Sequence, residues 1–194
     1  MLGKLILNYY QVLRIKIFRF LSSRSIKVEG TPRVKQPLEL EGNGIITFGS
    51  NVQLGYFPSP FFYDGSIYLE VRSSSAKIEF GDNIFCNNNL KIICDKSFIK
   101  IGSCVLIGTN VEIYDSDFHE VNPFTRNSGN HKCMPVIIND NVFVGSNVRI
   151  FKGVEIGENA VIANSAIVTK SFPANVVIGG NPAKIISNIS FDEN

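Results

Sequence analysis

Aliphatic side chains recur at every sixth position through the second half of the chain: Ile138, Val144, Ile150, Ile156, Ile162 and Val168. The turns between them read NDN, GSN, FKG, GEN and ANS. A helix repeats every 3.6 residues and a strand alternates every two, so a period of six suits neither alone. It suits a short flat strand, a corner and another strand, with an aliphatic side chain pointing inward once per face of a prism. Three hexads then close one coil, and stacked coils bury one continuous core, the signature of a parallel β-helix. Less regular hexads occur earlier, at Phe48–Asn51, Phe80–Asn83, Cys86–Asn89, Ile101–Cys104 and Ile107–Asn110. Gly and Asn suit the corners because tight turns need left-handed backbone angles. Asn51, Asn83, Asn110, Asn141, Asn147 and Asn159 are therefore read as structural, each amide stacking on the one above.

The pattern fails in four places. Residues 2–21 (LGKLILNYYQVLRIKIFRFL) instead follow a helical period. Lys4, Asn8, Gln11 and Arg19 fall on one side, and Leu2, Ile6, Tyr9, Leu13, Ile17 and Phe20 on the other. This predicts a basic amphipathic helix without an acidic residue. Its apolar face either packs on the β-domain or a neighbouring subunit, or lies on an anionic membrane surface. Residues 22–44, punctuated by Pro32 and Pro37, read as an approach segment. Residues 56–66 form a loop rich in Pro and aromatics, and 114–135 (YDSDFHEVNPFTRNSGNHKCMP) is the longest break. A strict-period solenoid tolerates insertions only as loops projecting from a corner, where function often resides. The predicted plan is thus a helix at 1–21, the approach segment, a β-helix domain at 45–180 and a terminal arm at 181–194 with an acidic, frayed tip.

Composition narrows the function classes. A chain of 194 residues holds about one domain, and 44% hydrophobic content excludes disorder. A net charge of +2, with no basic run interleaved with aromatics, argues against nucleic acid. Cys86, Cys94, Cys104 and Cys133 form no C-x-x-C pair and no zinc spacing, so they read as reduced structural thiols in a cytoplasmic protein. There is no signal peptide pattern, and no apolar stretch long enough for a transmembrane helix. Both histidines, His119 and His131, lie in the long break among Asp115, Asp117, Glu120 and Arg126, groups able to orient an imidazole.

The segment DSDFHEVNPFTRNSG, followed by PVIINDNVFVGSNVRIFKGVEIGENAVIANSAIVTKSFPANVVIGGNPAKII, resembles the hexapeptide-repeat acyltransferases. Within them it resembles the maltose and galactoside O-acetyltransferases and the sugar acetyltransferases of surface-polysaccharide pathways. The likeness covers residues 78–187. It implies an all-β, left-handed parallel β-helix, a homotrimer, and transfer of an acetyl group from acetyl-CoA bound between two subunits to a sugar or glycan hydroxyl. The period itself says nothing about handedness.

Carried over position by position, His119 matches the general base. An ordinary imidazole, with a pKa near 6.5, can take a proton from a sugar hydroxyl at neutral pH. Asn87 and Asp95 match acceptor-contacting residues facing the groove. Ser146 matches a position near the thioester, where a backbone N–H would stabilise the oxyanion. Ala163 and Asn164 match the pantetheine edge, Thr169 and Lys170 the pantetheine and nucleotide contacts, and Lys184 a nucleotide-phosphate contact. His131 matches no catalytic position and reads as loop surface. Phe143 stands where the family usually has Trp, and Ser187 where relatives have a further basic residue.

Other occupants of this fold fit less well. A γ-class carbonic anhydrase needs three histidines per zinc, and this chain has two in one loop, so no metal is expected. Residues 1–44 are too short for the extra domains of serine or nucleotide-sugar acetyltransferases. An antibiotic or other small-molecule acetyltransferase and a non-catalytic trimeric scaffold remain the alternatives. The expected location is cytoplasmic, with peripheral contact at the inner membrane face through residues 2–21.

Overall fold

The structure is a computed structural model that describes residues 2–22 and 25–191. The acidic tip at 192–194 lies outside the described residues, as do the side chains of Leu2 and Lys4. Helix α1 (Leu2–Leu21) precedes six triangular coils. The first consists of β1 (Lys27–Glu29), β2 (Arg33–Val34) and β3 (Leu38–Gly42), and the second of β4 (Ile45–Phe48), β5 (Gln53–Leu54) and β6 (Ile67–Val71). Next come β7 (Lys77–Phe80), β8 (Phe85–Cys86) and β9 (Lys91–Cys94), then β10 (Phe98–Ile101), β11 (Leu106–Ile107) and β12 (Glu112–Tyr114). The fifth coil is β13 (Val136–Ile138), β14 (Phe143–Val144) and β15 (Arg149–Ile150), and the sixth β16 (Glu155–Ile156), β17 (Val161–Ile162) and β18 (Ile167–Val168). β19 (Val176–Gly180) and β20 (Ala183–Asn188) close the chain as an antiparallel pair.

Successive coils stack strand on strand into three parallel sheets. Face 1 runs β1-β4-β7-β10-β13-β16, face 2 runs β2-β5-β8-β11-β14-β17 and ends in β19-β20, and face 3 runs β3-β6-β9-β12-β15-β18. The hexad aliphatics are the core: Ile138, Val144, Ile150, Ile156, Ile162 and Val168 are all completely buried. Cys86 and Cys94 take aliphatic positions in the same columns, and burial raises the pKa of both thiols. All four cysteines are free, and Cys104 is exposed.

The corners behave as their composition predicts. Asn51, Asn83, Asn141, Asn159 and Asn175 adopt φ of 55–61° at the corner between faces 1 and 2. Their amides bond along the axis, from Asn141 Nδ2 to Asn159 Oδ1 at 2.8 Å and from Asn159 Nδ2 to Asn175 Oδ1 at 2.8 Å. Cys104 interrupts this ladder at the same backbone conformation, with φ of 59°. A second ladder, Asn89–Asn110–Asn147, climbs the corner between faces 2 and 3. On face 3, Glu112 bonds Arg149 of the coil above at 2.6 Å and lies 3.7 Å from Lys91 of the coil below.

Three expectations need correction. Residues 22–44 are more than an approach segment, because β1, β2 and β3 already pair with β4, β5 and β6 and form the first coil. Their hexads are masked in the sequence because Val28 and Val34 stand at the open end, where an inward side chain has a coil on one side only. The boundary drawn at 180 also falls inside a β-pair, since β20 of the terminal arm folds back on β19. Lastly, α1 does not lay its apolar face on the β-domain. It docks through Gln11, which is 5% exposed, with the half-buried Arg14, Ile15 and Phe18 beside it. Gln11 Nε2 donates to Lys35 O at 3.0 Å, and Arg14 donates to Gly65 O at 2.7 Å. A pocket of about 280 Å³, lined partly by Ile15, Val34, Leu38 and Leu40, remains between helix and coil.

The 56–66 loop leaves the corner between faces 2 and 3 and is stapled by two buried amides. Asn88 bonds Tyr56 in both directions and donates to Pro60 O at 2.8 Å. Gln36 donates to Phe61 O at 2.6 Å and accepts from Asn89 N at 2.8 Å.

Candidate active site

The long loop leaves β12 and re-enters at β13, so it projects from the corner between faces 3 and 1. Asp115 fixes its root. This carboxylate is fully buried and accepts the backbone N–H groups of Asp95 at 2.7 Å, Ser97 at 2.9 Å and Lys96 at 3.2 Å. Buried carboxylates need such partners, and three donors from the turn of the coil below supply them. An isolated bridge between Ser116 and Cys133 closes the neck. Beyond it, Asp117 pairs with Lys152 at 2.7 Å, and Glu120 accepts from Ser128 at 2.6 Å and from Thr125. Those hydroxyl donors hold the Glu120 carboxyl below its usual range.

His119 stands exposed on this scaffold. It follows Phe118, whose φ of 60° is uncommon for an aromatic residue. Arg72 sits 4.7 Å above the Phe118 ring, and Tyr114 meets its edge at 5.7 Å. Burial and the neighbouring Glu112 push the Tyr114 hydroxyl up to about 12, so it remains a neutral wall. The Nδ1 of His119 lies 3.3 Å from the carbonyl oxygen of Arg126. A carbonyl can only accept, so Nδ1 carries the proton when this bond forms. Nε2 then keeps its lone pair, the tautomer a general base requires.

His131 is not loop surface. Its side chain is only 11% exposed and its Nε2 bonds Asp95 Oδ2 beneath the loop neck. Cys133 Sγ lies 3.6 Å from the same oxygen and 3.5 Å from Ser116 Oγ. The ligand atoms of Asp95, His131 and Cys133 lie within 4.8 Å of one another, the one group among the described residues with a metal-ligating composition. The His131–Asp95 hydrogen bond already pairs two of its members and pins the returning limb to the coil. Asp95, expected to meet the acceptor, is thus turned toward that limb and 6% exposed. The sequence offered no sign of this pairing, because Asp95 and His131 are brought together only by the loop's return.

The remaining candidates divide between two corners. Thr169 and Lys170 share the His119 corner, two coils nearer the C-terminus, and both are exposed. Asn87, Ser146, Ala163 and Asn164 line the corner between faces 2 and 3, and Lys184 is exposed on the adjoining β20. Asn87 Oδ1 accepts from Asn88 N at 2.8 Å. The Ser146 N–H, expected to be free for an oxyanion, donates to Asn164 Oδ1 at 2.8 Å. Ser146 Oγ lies 3.0 Å from Thr109 Oγ1. The two corners bound face 3 and are separated by the length of its strands, roughly 13 Å for four extended residues. One chain therefore does not bring His119 to the Ser146 corner.

A family model described as the hexapeptide repeat of succinyl-transferase matches residues 135–170. A Saccharomyces cerevisiae protein named provisionally as an acetyltransferase is 39% identical over 137 residues, covering 71% of this chain and 67% of that one. This chain belongs to the hexapeptide-repeat acyltransferases. The galactoside O-acetyltransferase of Escherichia coli K12 is 40% identical over 118 residues, 61% of this chain and 57% of that protein, so less than two thirds of that relative is spanned. Among solved structures, a hexapeptide-repeat acetyltransferase of Vibrio cholerae complexed with acetyl-CoA aligns with a TM-score of 0.56 at 25% identity. That alignment covers 97% of this chain and 84% of the other. A galactoside acetyltransferase in complex with coenzyme A aligns with a TM-score of 0.56 at 26% identity, covering 95% and 82%. The prism of this acyltransferase is accordingly a left-handed β-helix.

Proposed function

We propose that this acyltransferase moves an acetyl group from acetyl-CoA to a sugar hydroxyl, in the assembly of a surface glycan, with His119 as the base. The observation that carries the reading is the exposed His119, whose Nδ1 lies 3.3 Å from the Arg126 carbonyl oxygen, a contact that leaves Nε2 as the proton acceptor when Nδ1 donates. Nε2 takes the hydroxyl proton as the oxygen attacks the thioester carbonyl. A C–O bond forms, the C–S bond breaks, and the coenzyme leaves as a thiolate that recovers the proton from the imidazolium. No acyl-enzyme is needed. The coenzyme complexes of the two aligned structures support the donor, and the galactoside O-acetyltransferase relative supports a sugar acceptor.

The site is completed across a subunit boundary. Phe85, Leu106, Phe143 and Val161 stand in register on the outer surface of face 2, with Leu106 and Phe143 about half exposed. An apolar row of this kind supports side-by-side packing of copies as a trimer. The loop of one copy then meets the Ser146–Asn164 corner of the next. Lys170 and Lys184, neither of them in a salt bridge among the described residues, are the cations offered to the nucleotide phosphates.

The test is transfer of labelled acetyl from acetyl-CoA to a panel of free sugars, sugar nucleotides and lipid-linked glycans. His119→Ala should lower turnover on the best acceptor by about 10²–10⁴ while leaving the Kd for coenzyme A unchanged. Turnover equal to wild type would move the base elsewhere. Absence of transfer to every sugar would overturn the acceptor class.

A further inference from the structure

The coil core and the corner ladders find partners within the chain, whereas the outward side of α1 presents a large apolar surface that neither the prism nor the loops cover among the described residues. In α1, Gln11, Arg14, Ile15 and Phe18 occupy the side that meets the first coil. Leu5, Ile6, Tyr9, Val12, Leu13, Ile17 and Phe20 occupy the opposite side and are exposed, Tyr9 by 74% and Phe20 by 76%. The helix is thus seated the reverse of what its amphipathicity alone would give. Burying a side chain such as Leu, Ile or Phe stabilises by about 1.5–3 kcal/mol, so a stripe of several left in water is a surface built for something else.

We infer that the outward side of α1 docks on an anionic lipid bilayer. The charge of the helix selects this occupant. Residues 2–21 contain Lys4, Arg14, Lys16 and Arg19 and no acidic residue. Lys16 sits within the apolar stripe and Arg19 on its margin, both exposed, where long cationic side chains can reach phosphate headgroups while the stripe enters the acyl boundary. A second α1 would bring the same positive charge against this surface, whereas an anionic leaflet neutralises it. Among the described residues no helix is long and apolar enough to cross a membrane, so the helix lies in the interface plane. The seating agrees with this. The helix is anchored by side-chain bonds to carbonyls of the β-domain, so it can enter the headgroup region without unfolding the prism.

The experiment is flotation of the full chain with vesicles of phosphatidylcholine alone or mixed with phosphatidylglycerol, and it does not depend on the acceptor. Wild type should float with the anionic vesicles and stay behind with the neutral ones. Lys16→Glu with Arg19→Glu should weaken binding by at least about tenfold, and Tyr9→Glu with Phe20→Glu should abolish it. Both pairs are exposed, so circular dichroism and light-scattering mass should match wild type. No flotation of wild type, equal flotation on neutral vesicles, or a fall in mass of the Tyr9/Phe20 variant would each overturn the inference. The last outcome would assign the stripe to contact between copies.

Discussion

His119 and Ser146 illustrate what a side chain needs from its immediate surroundings before it can do chemistry. His119 has what it needs, because a carbonyl holds one ring nitrogen and leaves the other open. The Ser146 N–H does not, since it is donated to the Asn164 carboxamide. Asn164 is exposed, so its side chain can swing away when a thioester oxygen arrives, and the new bond then competes with the old one. Asn164→Ala removes the competitor. The KM for acetyl-CoA should fall by up to about fivefold, the worth of one ordinary hydrogen bond of about 1 kcal/mol, with kcat no lower. A rise in KM instead would show that the Asn164 amide itself contacts the coenzyme. The loop that holds His119 stood out in the sequence because a strict period breaks there, and the family resemblance singled out His119 within it as the candidate base. The Ser146–Asn164 bond was not, because a hexad pattern records which side chains point inward and nothing about what outward ones do to each other. The pairing of Asp95 with His131 and the roles of Gln36 and Asn88 escaped notice for a related reason: each is defined by partners that the coil stacking supplies from distant sequence.

Elements differ in how much of their placement the pattern dictates. Strands of a solenoid have one inward side and neighbours fixed by the coil above and below, so a six-residue period gives their register at once. A helix resting on the end of the solenoid has no such neighbours. That end presents unpaired carbonyls, including Lys35 O and, from the adjoining loop, Gly65 O, and it draws Gln11 and Arg14 inward. The amphipathic pattern of α1 therefore identified two sides correctly but not which one docks. The loop at 114–135 is a third case, held by its root and by little of its own packing. Asp115 is that root, and Asp115→Ala would leave three backbone N–H groups without their acceptor. The cost should be about 3 kcal/mol or more in urea unfolding, with Asp115→Asn intermediate because its amide oxygen still accepts. The same variant should lower kcat by freeing the loop that carries His119. A midpoint shift worth less than about 1 kcal/mol would mean that the Ser116–Cys133 neck and the His131–Asp95 pair hold the loop unaided.

At the scale of the whole molecule, the triangular section decides what one chain can and cannot do. His119, Thr169 and Lys170 stand at one corner of face 3, and Asn87, Ser146, Ala163 and Asn164 at the other, with a strand between them. No rotamer of His119 spans that width, so the two groups serve one reaction only if different copies contribute them. Complementation distinguishes this from a site within one chain. His119→Ala disables the loop corner, and Asn164→Trp obstructs the corner proposed for the coenzyme with a bulky exposed ring. Each variant alone should be nearly inactive. Mixed in equal amounts, unfolded and reassembled together, they should regain about a quarter of wild-type activity. In a closed ring, a productive site needs an intact loop from one copy and an intact corner from the next, and random assembly pairs these at about one interface in four. If both corners of each site came from the same chain, no mixture would recover any activity. Mixing the two folded proteins without dissociation is the control, and should stay inactive until subunits exchange.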